Sequence, residues 1–153
     1  MQGRVASLKI ITHSVAETEE AARNFAKRLA PGDVVAFFGG LGMGKTSFIR
    51  GLAAGLGIRD AVSSPTFALV HEYRGPVPLF HFDMYRVGSW QDLDSTGFYD
   101  YLESEGICVI EWSENIEEAL PPGTIKVGIS RGPDDDTRVI DIKENGEDEN
   151  TGD

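Results

Sequence analysis

The chain has 153 residues, of which 41% are hydrophobic and 25% are charged, a composition typical of one globular domain. Its net charge of −11 argues against independent binding of nucleic acid, because phosphate recognition needs clustered Lys and Arg. We find no membrane-length apolar run and no signal-peptide pattern, so we expect a cytoplasmic protein without a membrane partner. The single cysteine, Cys108, allows no internal disulfide and lies in an apolar run, which indicates a small buried hydrophobe.

The first predicted elements are a strand at 5–12 and a helix that begins directly after Ser14. Ser14 followed three residues later by Glu17 is the capping-box pattern of a helix start. Pro31 and Gly32 are predicted to end this helix. Its apolar positions share one face: Ala22, Phe25, Ala26 and Leu29.

Two apolar stretches flank a glycine-rich segment in the first half of the chain. The run 33–39 combines β-branched and aromatic residues, which predicts a strand buried on both faces. Residues 45–57 have apolar side chains at helical spacing and predict an amphipathic helix with Gly57 as its C-cap. The strand-like runs 66–74 and 77–87 then predict a hairpin.

The second half of the chain continues with short elements. Residues 89–104 predict one or two short helices, 106–112 another buried strand, and 113–121 a short helix. Alternating runs at 123–132 and 136–143 flank a polar turn and predict a second hairpin. We therefore expect an α/β fold with a mixed, mainly parallel sheet and antiparallel hairpins.

The glycine-rich segment matches the phosphate-loop pattern Gly-x-x-x-x-Gly-Lys-Thr, with a strand before it and a helix after it. Glycines allow successive N–H groups to turn inward, and the helix N-terminus adds donors and partial positive charge. Lys45 can span the β- and γ-phosphates, and the Thr46 hydroxyl can ligate Mg²⁺. The predicted nucleotide-binding residues are Gly39, Gly40, Leu41, Gly42, Met43, Gly44, Lys45, Thr46 and Ser47. This context predicts a P-loop NTPase-like three-layer core.

ATP is the favoured nucleotide, because guanine-specific GTPases usually carry an Asn-Lys-x-Asp segment and no Asn here precedes a Lys. The phosphates also need an acid at the end of a neighbouring strand, to hold Mg²⁺ or to position a nucleophile. Asp83 and Glu111 each close an apolar run and are both candidates. The division of roles between them stays open.

Three further polar features have both functional and purely structural interpretations. Thr66, in the loop 63–67, is a candidate for sensing the γ-phosphate, although an ordinary turn is the simpler interpretation. His81, Asp83 and Tyr85 share a strand face, but histidine spacing does not favour a zinc site. A Trp directly after Glu111 serves packing, or contacts a base or a partner.

The last residues of the chain are strongly acidic. Residues 141–153 contain six acids and one lysine, a net charge of −5, so the rest of the chain carries −6. We expect one P-loop ATPase domain over 1–143, followed by an acidic tail at 144–153 that is frayed and disordered.

Four segments, GGLGMGKT, SSPTF, HFDMYR and VIEW, occur in this order in a small chain, which resembles the TsaE family (formerly YjeE) over about residues 12–138. These are bacterial ATPases of threonylcarbamoyladenosine tRNA modification. The resemblance implies weak ATP hydrolysis stimulated by a complex of TsaD and TsaB. It also implies a role in the repeated turnover of that complex, with tRNA contacted only indirectly.

The resemblance also implies roles for single residues. Residues 40–46 would bind ATP, and Thr46 and Glu111 would serve Mg²⁺. Asp83 would lie in the same catalytic cluster, and Thr66 would act in a switch-like loop. Both cofactors, ATP and Mg²⁺, follow from the family as well as from the phosphate-loop pattern.

Ser14 lies where the family's first helix starts, close to the base, and Arg138 matches an arginine commonly found near the family's end. Two other functions remain open. A small-molecule P-loop kinase would usually need an Arg-rich lid, for which the final third offers only Arg131 and Arg138. A nucleotide-sensing adaptor would bind ATP without significant hydrolysis.

Overall fold

The structure is a computed structural model that describes residues 7–38, 44–59, 70–84, 87 and 90–144. Its strands are β1 (Ser7–Thr12), β2 (Val34–Phe38), β3 (Val70–Tyr73), β4 (Leu79–Asp83), β5 (Ile107–Glu111), β6 (Ile125–Arg131) and β7 (Arg138–Glu144). Its helices are α1 (Val15–Ala26), α2 (Lys45–Gly55), α3 (Trp90–Ser95) and α4 (Phe98–Leu102), with a 3₁₀ helix at Ser113–Ala119. Within the described ranges, no helix is long and apolar enough to cross a membrane.

The strands form one seven-stranded sheet in the order β1-β7-β6-β2-β5-β4-β3. The four central strands, β6, β2, β5 and β4, are parallel neighbours. Antiparallel pairing joins β3 to β4, β6 to β7, and β7 to β1. Of the strands in the described part of the chain, five therefore run in one direction, and β3 and β7 oppose them. Both predicted hairpins and the mixed, mainly parallel sheet are confirmed.

Helices cover both faces of the sheet, which confirms the three-layer prediction. Alternation along the strands sends Val35 and Val109 to the face covered by α1 and α2, and Val34 and Ile110 to the face covered by α3, α4 and the 3₁₀ helix. Every residue of β5 is buried, as predicted. Cys108 is buried among apolar neighbours, and this burial raises the pKa of its thiol to about 12.

Helix α1 begins where its capping box predicts but ends earlier than expected. The Ser14 hydroxyl accepts from Glu17 N at 3.0 Å, whereas the Glu17 carboxylate accepts from His13 N at 2.7 Å instead of from the cap residue. The helix ends at Ala26, not at Pro31. After Ala26, the N–H groups of Lys27, Arg28 and Leu29 donate to carbonyls three residues back, which ends the α-helical bonding. The chain then turns at Gly32, with φ 95°, whose N–H donates to Gly106 O at 2.8 Å before β2.

The remaining differences are local. The predicted short helix at 113–121 is a 3₁₀ helix with a non-helical residue at Ile116, and the 89–104 segment forms two helices separated by Gly97. Several predictions lie outside the described residues: Gly39 to Met43 of the phosphate loop, the 63–67 loop with Thr66, Tyr85, and residues 145–153. Strand β7 continues through Glu144, the first residue assigned to the tail. The division into a domain and a tail stays a prediction.

Candidate functional site

The candidate site lies at the carboxyl edge of the parallel strands. Strands β2, β4 and β5 run in the same direction, so Phe38, Asp83 and Glu111 end at this edge. Asp83 and Glu111 are register partners on adjacent strands. Ligands of open α/β sheets bind outside the carboxyl ends of the strands. The chain therefore brings both predicted acids to the edge from which the glycine-rich segment leaves β2.

The N-terminus of α2 is built to receive an anion. Gly44 caps it with φ 98°, a left-handed conformation that favours glycine. The first N–H groups of a helix have no partner within it, and the first turn of α2 contains no acid that would oppose an anion. Thr46 and Ser47 are both half-buried in this turn.

Lys45 is the first residue of α2 and is only 5% exposed. Its Nζ lies 5.1 Å from the centroid of the Trp112 ring, within cation–π distance. Trp112 directly follows Glu111 at the end of β5. This contact therefore brings the phosphate-loop lysine next to the strand that carries a predicted catalytic acid.

Glu111 is buried and pairs with a histidine from the neighbouring strand. Its Oε2 lies 2.6 Å from His81 Nε2, and the side chains are 8% and 2% exposed, respectively. The Glu111 carbonyl accepts from Met84 N at 3.0 Å, which fixes the backbone between β4 and β5. Asp83 is half-buried beside it. The site thus contains one carboxylate held by a hydrogen bond and a second that is more accessible.

The chain leaves Glu111 through a strained residue. Trp112 has φ 60° and ψ 43°, a conformation that L residues with bulky side chains rarely adopt. The turn is held by Ser113, whose buried hydroxyl donates to Ile110 O at 3.0 Å. Such outliers are frequent at functional sites, where the surrounding structure supports the strain.

A basic side chain approaches α2 from the other side of β2. A Cβ placed on Gly44 would lie 3.8 Å from Arg138 Nε, so this guanidinium is close to the start of α2. Arg138 Nη1 donates to the carbonyl of Asp135 at 2.7 Å and to that of Thr137 at 3.0 Å. Arg138 also pairs in register with Thr12 of β1. The start of α2 is therefore flanked by Lys45 and Arg138.

Ser14 is the N-cap of α1 and uses its hydroxyl for that role. It follows the end of β1, where a buried 2.7 Å hydrogen bond joins the Thr12 and Thr18 hydroxyls. Since Thr12 pairs with Arg138, the start of α1 lies on the Arg138 side of the sheet. Its predicted proximity to the base stays a prediction.

The sequence pattern singled out His81 and Trp112 but did not predict their contacts. Both contacts join residues far apart in the chain, so they depend on the order and register of the strands. One signal was present: His81 and Asp83 share a strand face, two residues apart on an apolar strand. A buried histidine in that position needs a hydrogen-bond partner, and a parallel strand ending in an acid supplies one.

The oxygen donors at this edge suit Mg²⁺, which prefers hard ligands such as carboxylates and hydroxyls. Thr46, Asp83 and Glu111 provide them. In the ranges that the structure describes, no group of three or more His, Cys, Asp or Glu side chains could hold a metal alone. Proteins usually hold Mg²⁺ through one or two side chains together with substrate phosphates, so Thr46 and one of the two carboxylates would suffice.

Comparisons with known proteins give one consistent result. Residues 12–140 match the family model for "Threonylcarbamoyl adenosine biosynthesis protein TsaE". The chain is 40% identical over 133 residues to the Bacillus subtilis (strain 168) "tRNA threonylcarbamoyladenosine biosynthesis protein TsaE", covering 86% of this chain and 83% of the relative. A Treponema pallidum (strain Nichols) protein of the same name is 36% identical over 122 residues, which is 80% of this chain and 90% of that protein.

Among solved structures, the crystal structure of Bacillus subtilis YdiB matches with a TM-score of 0.76 and 36% sequence identity. The match covers 94% of this chain and 88% of that one. The family model, the curated relatives and the solved structure thus each match this chain over most of its length.

Proposed function

Because the chain belongs to the TsaE family of threonylcarbamoyladenosine biosynthesis proteins, we propose that it is a Mg²⁺-dependent ATPase acting on a TsaD–TsaB complex. Its weak hydrolysis of ATP would be stimulated by that complex and would allow the complex to turn over repeatedly. The observation that carries the proposal is the position of Lys45, buried at the start of α2 beside the strand end that bears Glu111.

Each residue of the site has its own role in binding the phosphates and Mg²⁺ or in hydrolysis. The N–H groups at the start of α2 and the Lys45 ammonium balance the charge of the β- and γ-phosphates. Thr46 and Glu111 would hold Mg²⁺, which when bound supplies further charge neutralisation of the phosphates. Of the two acids, one orients the attacking water and the other serves the metal, and we assign the metal to Glu111.

The charge of the whole chain supports a protein partner instead of direct binding to tRNA. A net charge of −11 repels a phosphate backbone, whereas a complex of proteins does not require clustered Lys and Arg on this chain. Contact with tRNA is therefore indirect. Loss of the γ-phosphate would relax the 63–67 loop with Thr66 and change affinity for the partner complex. We propose the cytoplasm as the compartment.

The central test is phosphate release by the parent and by Lys45→Ala, each with and without TsaD and TsaB from the same source. We expect Lys45→Ala to abolish hydrolysis, because its buried ammonium lies at the start of α2, where the phosphates would bind. Lys27→Ala, which removes an exposed lysine after α1, is the matched control and should hydrolyse ATP like the parent. Hydrolysis by Lys45→Ala at the parent rate would refute the assignment.

Glu111→Ala tests the division between the two acids. It should retain ATP binding and lose turnover, whereas retained turnover would leave both the metal and the attacking water to Asp83. The same assays separate the alternative functions. Phosphoryl transfer to a member of a small-molecule panel would identify a kinase. ATP binding without phosphate release, even with the partner complex, would identify an adaptor.

A further inference from the structure

We propose that His81 is a positioning residue for Glu111: its imidazole donates a hydrogen bond that holds the carboxylate in the orientation needed to bind Mg²⁺. This inference rests on the proposed function and deepens it. The two side chains belong to adjacent parallel strands and lie on the same face, since His81 is in register with Val109 and Glu111 follows two residues later.

The geometry of the pair is that of a strong hydrogen bond. The distance of 2.6 Å between His81 Nε2 and Glu111 Oε2 is short, as expected when an ionised carboxylate accepts. Both side chains are more than nine-tenths buried, so water competes little for either group. With Oε2 held by His81, the second oxygen, Oε1, is the one left to serve a ligand.

The environment of the second ring nitrogen of His81, Nδ1, indicates which of the two nitrogens carries the proton. His81 Nδ1 is buried and has no hydrogen-bond partner among the residues that the structure describes. In the neutral ring, a proton on Nδ1 would be a buried donor without an acceptor and would leave Nε2 without the proton that the carboxylate accepts. The neutral tautomer with its proton on Nε2 satisfies the contact with Glu111. His81 is therefore a hydrogen-bond donor with a fixed tautomer.

Stability alone does not account for this pair. A buried carboxylate with a polar partner is often no more stabilising than well-packed apolar side chains of similar size. On the same face of the sheet, Leu79 and Val109 are buried and apolar, so an apolar pair would suit this face. Residues that orient a metal ligand change metal affinity or activity by roughly 10- to 100-fold when they are replaced.

The test compares His81→Gln with His81→Met in the full chain. Gln and Met have similar length and volume, but only Gln presents an N–H near the position of Nε2. Both variants remove the ring, so differences in folding between them should be small, and thermal unfolding checks this. The difference between Gln and Met thus isolates the hydrogen bond from the shape of the side chain.

The principal readout is Mn²⁺ affinity, measured by electron paramagnetic resonance with a non-hydrolysable ATP analogue bound. We expect His81→Met to weaken Mn²⁺ binding by about 10- to 100-fold and His81→Gln to recover most of that loss. Hydrolysis should follow the same order. Equal affinity in the parent and His81→Met, or equal losses in Met and Gln, would overturn the inference.

A double variant tests whether His81 acts through Glu111. In a Glu111→Gln background, His81→Met should have little additional effect on Mn²⁺ affinity, because the group that it positions has been altered. A full additional loss would show that His81 acts by another route and would overturn the inference.

Nitrogen NMR of the parent provides a measurement that needs no variant to fold. The His81 ring should show a protonated Nε2 and an unprotonated Nδ1, and the opposite tautomer would overturn the inference. The proposed function can fail separately. If the parent releases no phosphate with or without its partners, the ATPase proposal fails, while Mn²⁺ affinity and the tautomer still decide the role of His81.

Discussion

Trp112 links two parts of the candidate site: the start of α2 with Lys45, and the end of β5 with Glu111. Its left-handed backbone turns the chain immediately after Glu111, and its ring lies against the Lys45 ammonium. A non-glycine residue in this region costs about 1–3 kcal/mol, so the surrounding contacts must hold it there. The strained turn thus places an aromatic face under the lysine and a carboxylate one residue earlier.

The Trp112 ring should therefore contribute to ATP hydrolysis. We expect Trp112→Leu to lower kcat/KM by about five- to thirtyfold, the equivalent of about 1–2 kcal/mol for a desolvated cation–π contact. Trp112→Phe retains an aromatic face and should lose less. Steady-state phosphate release measures both variants, and full activity in Trp112→Leu would show that the contact with Lys45 is dispensable.

Glycines determine how closely α1 and α2 pack. A Cβ on Gly51 would collide with the backbone carbonyl of Glu19, and one on Gly55 would lie 2.7 Å from Arg23 O and from Ala26 Cβ. Neither obstacle is the flexible end of a side chain. The two helices are therefore in backbone contact, and this contact positions α2 and Lys45 over the sheet.

We expect Gly51→Ala to destabilise the protein, although alanine favours a helix by about 0.5–1 kcal/mol over glycine. Forcing the helices apart should cost about 1–3 kcal/mol and exceed that gain. Ala54→Gly, at an exposed position of α2, is the control and should cost only about 1 kcal/mol. Denaturant unfolding measures both, and a Gly51→Ala variant as stable as the parent would contradict the close packing.

The turn between β6 and β7 is stabilised by Asp134. Its Oδ1 accepts from Thr137 Oγ1 at 2.7 Å, from Thr137 N at 3.0 Å and from Asp136 N at 3.1 Å. The hydroxyl of Thr137 is the largest cause that lowers the pKa of Asp134. These bonds close the turn from which Arg138 starts β7.

This hairpin should make stability depend on pH. Folding lowers the pKa of Asp134, so its ionised carboxylate adds to the free energy of unfolding at a pH above its unfolded-state pKa of about 3.9. This addition is lost as the pH falls through the pKa that Asp134 has in the folded protein. Asp134→Ala should be less stable than the parent at neutral pH, and the difference should vanish in acid. Thr137→Val should reduce the same pH dependence. Denaturant unfolding at several pH values measures it, and a difference that persists at low pH would contradict the assignment.

Local patterns predicted the elements better than their ends or their contacts. Ser14 and Glu17 marked the start of α1, and apolar runs marked β2 and β5, because caps and burial leave short-range signals. The connection from α1 to β2 uses the hydrogen bond from Gly32 N–H to Gly106 O, a contact across the fold. The pairing of His81 with Glu111 likewise depends on strand register, which the spacing of residues in one strand does not contain.

At the scale of the molecule, the sequence pattern did not predict the order of the strands in the sheet. Strand β1 pairs with β7, which is far from it along the chain, and β2 lies between β6 and β5. Hairpins and the general α/β class follow from neighbouring elements, whereas these pairings join distant ones. The strand order nevertheless decides the site, since it puts β5 and its Glu111 directly beside β2.

Removal of residues 145–153 tests the predicted division into a domain and a tail. This segment carries four acids and no base, so its removal changes the net charge from −11 to −7. We expect the midpoint of thermal unfolding and ATP hydrolysis to remain as in the full chain, because a solvated acidic segment buries little apolar surface. A clear fall in either quantity would show that the segment contacts the domain.

The pairing of β1 with β7 also decides how the molecule can be attached to a surface. Ser7 lies opposite Lys143, and both are at the margin where β6 begins, so the first residues of β1 and the last residues of β7 lie together at one corner of the sheet. That corner is about one strand length, roughly 17 Å, from the margin that bears Asp83 and Glu111. A fluorophore or tether fixed there would leave the opposite margin open to solution, so that nucleotide and partner proteins could be titrated against the immobilised molecule.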